Sequence, residues 1–525
     1  MKTKKIFICM LAFFLLTFAC KKENLDTTST RQLATIYYNY DDHIANVING
    51  AYAPLQAENN NWGTNPWMWG SVASDDAWAG GGSNTDQVGY QTTNLHTITQ
   101  SDPANLLNLW KFYFQGINRC NLILTYVKPD NDLKKDAIGQ AQFLCGMYYF
   151  YLARMFGGLP LMPKVPIPTD IIKRSSLDQT YTFIEDLLTK AVNSSMQERK
   201  GGVDPSNGFA TKASAQALLG KVYMYHAAYI DETGAKVVNK QYYTSAITYL
   251  KAVADDSTNY RLDPEFWHIF NPDTRHGIES IFEVNFTTIL ANGTQGNALS
   301  TLCGPRTVAN QIINDTINYG WGFNAPNKAL VNLFNTENDV VRYNATIFDT
   351  ASLQKWHDKG RAKSDRLNWD NSKDGYYDRK HYSNPHDYAT TFATNSNPMI
   401  LLRLGDIYLL LAEAYNQTGD DVNALIWLNK VRARVNRPPL SSSGATLYQN
   451  IKDERHLELA LEGDRYFDLV RWGDASAVLL GNTSAGIFSY DEGTPGKKTY
   501  GLFPIPDLEI TRTTGSNALT QNPGY

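Results

Sequence analysis

Between Trp62 and Gln87 the chain reads W-G-T-N-P-W-M-W-G-S-V-A-S-D-D-A-W-A-G-G-G-S-N-T-D-Q. Indoles this dense in a polar, glycine-rich stretch have two uses. Some can plug the loop onto the body of the protein, and others can offer flat faces to a ligand. Asp75 and Asp76 sit among them. A carboxylate accepts two hydrogen bonds from vicinal hydroxyls, while an indole stacks on the CH face of a sugar ring. Asp75, Asp76 and Trp78 are therefore the first candidates for a ligand site. Trp67 and Trp69 suit either role. A second group is Arg306, Tyr319, Trp321 and Asn324. In that group Trp321 also reads as a packing residue, and Arg306 as a solvated loop charge. Trp356, Trp369 and Tyr382 carry similar chemistry, with nothing in the sequence to rank them.

Catalysis has no comparable signal. The chain lacks a G-x-S-x-G elbow, an H-E-x-x-H helix and a P-loop. Asp75 and Asp76 are adjacent, whereas glycosidase acids come from separate elements so that they flank a bond about 5–9 Å apart. The histidines are scattered, and His226 reads as a packed helix residue. Beyond Cys9 and Cys20 there are Cys120, Cys145 and Cys303, an odd and widely spaced set. That pattern is neither a disulfide framework nor a zinc site, and no cofactor or metal is expected. Charge is nearly balanced, 48 basic against 52 acidic residues, with no basic block, so nucleic acid is not the expected partner. The 31 tyrosines, 22 phenylalanines and 11 tryptophans instead fit a protein that holds a neutral polar ligand on aromatic faces.

The elements that must position these residues are mainly helical. Apolar periodicity predicts helices over Asn108 to Val127, Leu133 to Phe156, Ser176 to Ser194, Thr211 to Tyr229 and Tyr242 to Ala254. It predicts more over Ile400 to Gln417, Val422 to Val435 and Leu447 to Leu461. Gly157-Gly158 and the prolines after them stop the second helix, and Ser176 is an N-cap for the third. Leu219-Gly220-Lys221-Val222-Tyr223 matches the core of a tetratricopeptide repeat, as do Leu411, Ala412 and Tyr415 followed by Ala424 and Leu428. The expected architecture is a tetratricopeptide-like helical-repeat scaffold with a loop-rich, small-β insertion subdomain. Asn59 to Gln100, Arg261 to Tyr319 and Trp356 to Thr394 lack helical period, and Ser280 to Phe286 reads as β. The divisions are 32–260, with a ligand loop at 59–100, then an irregular insertion at 261–395 and a helical region at 396–525.

The N-terminus supplies a location. Lys2, Lys4 and Lys5 precede an apolar run from Ile6 to Phe18, and Ala19 precedes Cys20. This is a secretory signal over residues 1–19, too short to span a bilayer, and a cysteine at its end reads as the lipidated first residue of a bacterial lipoprotein. Residues 20–31 would be the tether. An ordinary signal ending near a cysteine is the alternative.

Several stretches resemble the SusD/RagB family of nutrient-binding outer-membrane lipoproteins of the Bacteroidetes. The most specific runs from Glu454 to Gly473 and fits the pattern E-R-x-x-E-L-x-x-E-G-x-R-x-x-D-L-x-R-W-G. Gln142 to Pro163, Tyr319-Gly320-Trp321-Gly322 with Pro326, Asp339 and Arg342, Phe503-Pro504-Ile505-Pro506 and the closing Gln521-Asn522-Pro523-Gly524-Tyr525 are similar to the family too. The resemblance implies a non-catalytic surface lipoprotein that binds oligosaccharides and delivers them to a SusC-like TonB-dependent transporter. It also implies that an acid and a tryptophan near Asp75, Asp76 and Trp78 serve the site. A peptide-binding member of the same family is the nearest rival reading, and a glycoside hydrolase a more distant one. Read from its own residues, the Glu454–Gly473 stretch is structural. Charges of alternating sign lie at near-helical spacing, and Gly463 breaks the helix so that carboxylate–guanidinium pairs clamp the break.

Overall fold

The structure, a computed structural model, describes residues 30–60, 66–101, 104–167, 169–199, 208–287, 296–307, 320–358, 374–382, 395–480, 498–513 and 515–525. The signal segment, Cys20, Tyr319 and Trp369 lie outside the described residues. Most of the described chain is helical.

The N-terminal half opens with α1 (Thr30–Asn39), α2 (Asp41–Asn60) and α3 (Pro66–Val72). Strand β1 (Ala77–Gly80) and α4 (Val88–Asn94) follow. Then come the long helices α5 (Ala104–Tyr126), α6 (Asp132–Phe156), α7 (Leu177–Val192), α8 (Lys212–Ala227) and α9 (Lys240–Ala254). Each of α5 to α9 packs on the next, and α9 packs on α14 (Leu404–Thr418). The stops and starts obey local chemistry. Gly157, at φ 75°, ends α6. Ser176 caps α7 in a reciprocal pair with Gln179, and Thr211 does the same for α8 with Ser214. A small hairpin, β2 (Ala228–Ile230) with β3 (Lys236–Val238), joins α8 to α9 where the sequence shows a polar insertion.

The repeat residues do what their sizes allow. A Cβ on Gly220 would lie 2.5 Å from the Leu250 side chain, so glycine is what lets α8 and α9 approach. Tyr223 fills the space beside it, stacked on Tyr242 and Tyr249. Ala412 of α14 and Ala424 and Leu428 of α15 (Asp421–Arg434) are fully buried where the second pair closes.

The middle of the chain supplies β4 (Ser280–Val284), α10 (Leu299–Cys303), β5 (Phe323–Pro326), α11 (Lys328–Thr336), α12 (Val340–Thr346), β6 (Ile347–Asp349), α13 (Thr350–Asp358) and β7 (Tyr376–Asp378). The C-terminal part supplies β8 (Met399–Arg403), α16 (Gly444–Leu459), α17 (Arg465–Trp472), α18 (Ala475–Leu479) and α19 (Asp507–Arg512). Among the described residues the strand pairs are antiparallel: β1 with β5, β4 with β8, and β6 with β7, as in the β2–β3 hairpin. One apolar core runs from Ile44 to Leu519 and takes in Cys120, Cys145 and Cys303 as small buried side chains without disulfides.

Three details differ from the periodicity. Residues 399–403 are strand rather than the start of a helix. Every one of them is buried, and a short apolar run, Met399 to Leu402, closed by the ion-paired Arg403 suits a strand covered on both faces. Residues 59–100 are not an irregular loop, because α3, β1 and α4 occupy much of that stretch and Met68 to Ala79 is buried throughout. Helix α1 begins at Thr30, inside the stretch assigned to the tether.

Candidate functional site

The Trp-rich segment meets the Glu454–Gly473 signature directly. Helix α16 ends at Leu459 and α17 begins at Arg465. Between them Gly463 sits at φ 79°, and a Cβ there would lie 2.4 Å from the Cα of Trp67. The approach is mutual, since a Cβ on Gly70 would lie 1.8 Å from the Gly463 carbonyl oxygen. Helix α3 is thus pressed backbone to backbone against the break.

This contact decides where Asp75 and Asp76 point. Arg465 donates from Nε at 2.7 Å and Nη2 at 2.8 Å to the two oxygens of Asp75. Asp76 pairs with His456 Nε2 at 2.7 Å through Oδ1 and accepts the Leu461 backbone N–H at 3.1 Å through Oδ2. Asp75 is 9% exposed and Asp76 is fully buried. Burial opposes ionisation of Asp75, but the charges of Arg465 and His456 outweigh it and hold the carboxyl well below the usual range. The expectation that this pair meets a ligand is therefore corrected: both carboxylates are counter-ions of the signature. Trp69 is fully buried, edge-on to Tyr90 and Phe503. Trp67 is buried with its ring 4.9 Å from that of His381. Both tryptophans pack inward rather than facing solvent.

The rest of the signature forms a buried ion network. Arg342 of α12 binds Asp339, Glu454 and Glu458. Arg403 of β8 binds Glu279, Glu458 and Glu462, while Arg455 and Arg471 share Asp468. Lys221, from the repeat motif of α8, reaches Asp406 and Asp464. A void of about 20 Å³ adjoins the network, room for roughly one water. These acids are held by cations, and the void beside them among the described residues takes about one water.

What reaches the surface lies along the β1–β5 pair. Register sets Trp78 opposite Ala325 and Gly80 opposite Phe323. Gly80 and Gly81, at φ 76° and 79°, turn the chain out of β1, and Gly81 N–H bonds the Gly322 carbonyl at 3.0 Å. The turn is closed by Asp86, which accepts the Gly82 N–H at 2.7 Å. Arg306 reaches the same carboxylate at 3.5 Å and the Trp321 carbonyl at 3.2 Å. The Tyr377 hydroxyl donates to the Arg306 carbonyl at 2.9 Å and fixes that backbone. Ser83, Asn84 and Thr85 are exposed at the tip, and Trp321 and Arg306 are half-buried at the side. Trp78 lies behind the rim, 9% exposed and so as buried as Asp75, with Nε1 donating to Asp374 at 2.6 Å.

The two candidate groups thus converge through one strand pairing. Trp78 comes from the first, and Arg306 and Trp321 from the second. Asn324 does not reach the rim: it is 1% exposed, at φ 52°, and donates to Asp378 at 2.9 Å. Among the third candidates Tyr382 is buried against Phe348, and Trp356 falls within α13. Sequence reasoning passed over Asp86 and Asp374. Asp86 had a signal, an acid four residues after Gly82 that can cap a glycine turn.

Two groups of the described residues bring possible metal ligands within 4.8 Å of one another, Cys303–Asp378–His381 and Asp75–Asp76–His456. In the first, Asp378 accepts from Asn324 and pairs with His381 Nδ1 at 2.6 Å. In the second, Arg465 and Leu461 already hold the carboxylates. The second reads as a satisfied buried hydrogen-bond network. In the first, His381 Nδ1 is paired with Asp378, while His381 Nε2 is buried without a hydrogen-bond partner among the described residues.

Comparison with known proteins fits this arrangement. The SusD family model matches residues 278–525, and a second, described as starch-binding and associating with the outer membrane, matches residues 23–224. The chain belongs to the SusD/RagB family. Within that family, SusD-like protein P2 of Formosa agariphila is 22% identical over 510 residues, covering 91% of both chains. The starch-binding protein SusD of Bacteroides thetaiotaomicron is 24% identical over 426 residues, covering 74% of this chain and 72% of its own. A solved laminarin-binding SusD-like protein superposes with a TM-score of 0.76 at 27% identity, over 93% of this chain and all of that one. SusD-like family members bind glycans and are non-catalytic. Among the described residues, no helix of this SusD/RagB member is long and apolar enough to cross a membrane.

Proposed function

We propose that this chain is a surface lipoprotein, anchored through Cys20, that holds a neutral oligosaccharide at the β1–β5 rim and hands it to a TonB-dependent outer-membrane transporter. The observation that carries the reading is the convergence of Asp86, Arg306 and Trp321 at one end of the β1–β5 pair, with Trp78 buried behind them. The half-buried Trp321 indole offers stacking area, and a guanidinium and a carboxylate offer oriented donors and acceptors for hydroxyls. The pairing makes the platform rigid before a ligand arrives, which lowers the ordering cost of binding. No bond is broken: the acids of the network are held by cations, and at the rim Asp86 is held by the Gly82 N–H and Arg306 while Asp374 is held by Trp78 Nε1 and the Lys328 N–H. The starch- and laminarin-binding names of the two relatives above support a glucan as the ligand class.

The test is calorimetric titration with laminarihexaose and maltoheptaose. Trp321→Ala and Arg306→Ala should each lose about 1–3 kcal/mol of affinity, the scale of an anchor residue, with the melting temperature kept. Incubation with either glucan should release no new reducing ends. Unchanged affinity in both variants would place the site elsewhere. For the anchor, Cys20→Ala should move the protein out of the membrane fraction or stall its processing.

A further inference from the structure

A second opening lies on the far side of α4. That helix serves the rim with one residue, since Gln91 donates to the Gly80 and Asp86 carbonyls. Its Thr93 faces the other way, into a cleft of about 590 Å³ between residues 93–101, α17 and the closing segment 499–525. This is the size range of small-molecule sites.

The lining is chemically one-sided. Thr97, Thr99 and Ser101 stand exposed at the mouth, with Thr499 across from them and Gln100 between. The Thr99 and Ser101 hydroxyls are 3.4 Å apart, so one ligand hydroxyl can reach both. Tyr525 is the half-buried aromatic face of the lining, with Tyr466 and Phe503 buried behind it, 3% and 4% exposed. The two phenols are fixed by donating to backbone carbonyls, Tyr466 to Gly501 and Tyr525 to Leu502, each at 3.0 Å. His96 lies against Tyr466 with ring centroids 5.8 Å apart. Its Nε2 is 3.0 Å from the Ala73 carbonyl, which makes Nε2 the donating nitrogen. Burial lowers its pKa to about 4, so the ring is neutral at pH 7. Among the described lining residues there is no Asp, Glu, Lys or Arg. The described lining side chains are thus hydroxyls, an amide, a neutral imidazole, aliphatic groups and aromatic rings. These groups give a neutral polyol hydroxyl partners and one aromatic face.

We propose that this cleft is a second carbohydrate site, specific for neutral sugars and separate from the rim. It rests on its own lining and stands whether or not the rim binds. The test uses the full-length chain with laminarihexaose and maltoheptaose as neutral probes and hexagalacturonate as a charged one. Thr97→Trp and Ser101→Trp fill the mouth from exposed positions, and Arg306→Ala disables the rim. In calorimetry, a neutral glucan should bind Arg306→Ala with at least one site left. Either tryptophan variant should weaken that remaining site tenfold or more without lowering the melting temperature, and hexagalacturonate should not compete for it. If Arg306→Ala binds normally and Thr97→Trp abolishes binding, the cleft stands and the rim reading falls. The cleft is overturned if both filled variants, folded as judged by their melts, bind both glucans with wild-type stoichiometry and affinity. It is equally overturned if neither glucan binds the unaltered chain.

Discussion

Asp75 illustrates how far a residue can be read from its neighbours in sequence. An acid among tryptophans has the composition of a sugar site, and its true partner, Arg465, is 390 residues away. No local pattern reports such a pairing. The structural role of the Glu454–Gly473 charges was legible, because their spacing alone calls for clamping pairs; the identity of the carboxylate that Arg465 meets was not. Removing one member of a buried pair strands the other charge, which costs about 3–5 kcal/mol, while replacing both with apolar groups of similar size is far milder. Arg465→Met and Asp75→Leu should each lower the melting temperature strongly, and the double variant should recover much of the loss. Urea unfolding of all four proteins measures this. If the double variant loses the sum of the singles, the two residues are not a pair.

At the level of elements, long amphipathic helices were read well and short buried ones poorly. Periods of 3.6 residues over three or more turns are informative, whereas α3 and α4 are seven residues each and rich in Trp, Gly and Thr. The β1–β5 pairing, which assembles the rim, joins positions about 250 residues apart and leaves no periodic trace. Gly463, by contrast, was readable as a break, and the structure adds what makes it irreplaceable. Its φ of 79° already disfavours a side chain, and the obstacle is the Trp67 backbone rather than a movable group. Gly463→Ala should therefore cost more than the ~1 kcal/mol typical of alanine at a left-handed position, by displacing α3 from α17. Gly419→Ala is the control: Gly419 has φ 89° but nothing within 4 Å of its Cβ, so only the backbone penalty applies. Equal shifts in urea midpoint for the two variants would show that the α3 contact yields without cost.

For the whole molecule, two histidines of opposite sign frame the pH dependence of stability. Burial lowers His96 to about 4 from its ordinary 6.5. The unfolded chain then binds a proton more readily than the folded one, so the stability of the neutral ring is lost as pH falls from 6.5 toward 4. At about 1.4 kcal/mol per pKa unit the loss is about 3 kcal/mol at the acid end. His226 behaves oppositely. Burial opposes its charge, but Glu185, 2.6 Å away, and Asp178, 3.0 Å away, outweigh that and raise its pKa above 6.5. Its contribution is fully present below pH 6.5 and is lost as pH rises through the raised value. Acids such as Asp75, Glu458 and Asp464 are held below their ordinary range against the pull of burial, Asp75 by Arg465, Glu458 by Arg434 and Arg403, and Asp464 by Lys221 and Arg154. Their stabilisation is present above about pH 4–4.5 and declines only below it. Melting temperature should therefore peak near pH 6.5, fall gently on both sides, and drop steeply below pH 4. His96→Gln should flatten the limb between pH 6.5 and 4 and leave the alkaline limb intact. His226→Gln should do the reverse. Melts of the three proteins from pH 3 to 9 separate these assignments, and a His96→Gln curve parallel to the parent's between pH 6.5 and 4 would remove His96 as the source of that limb.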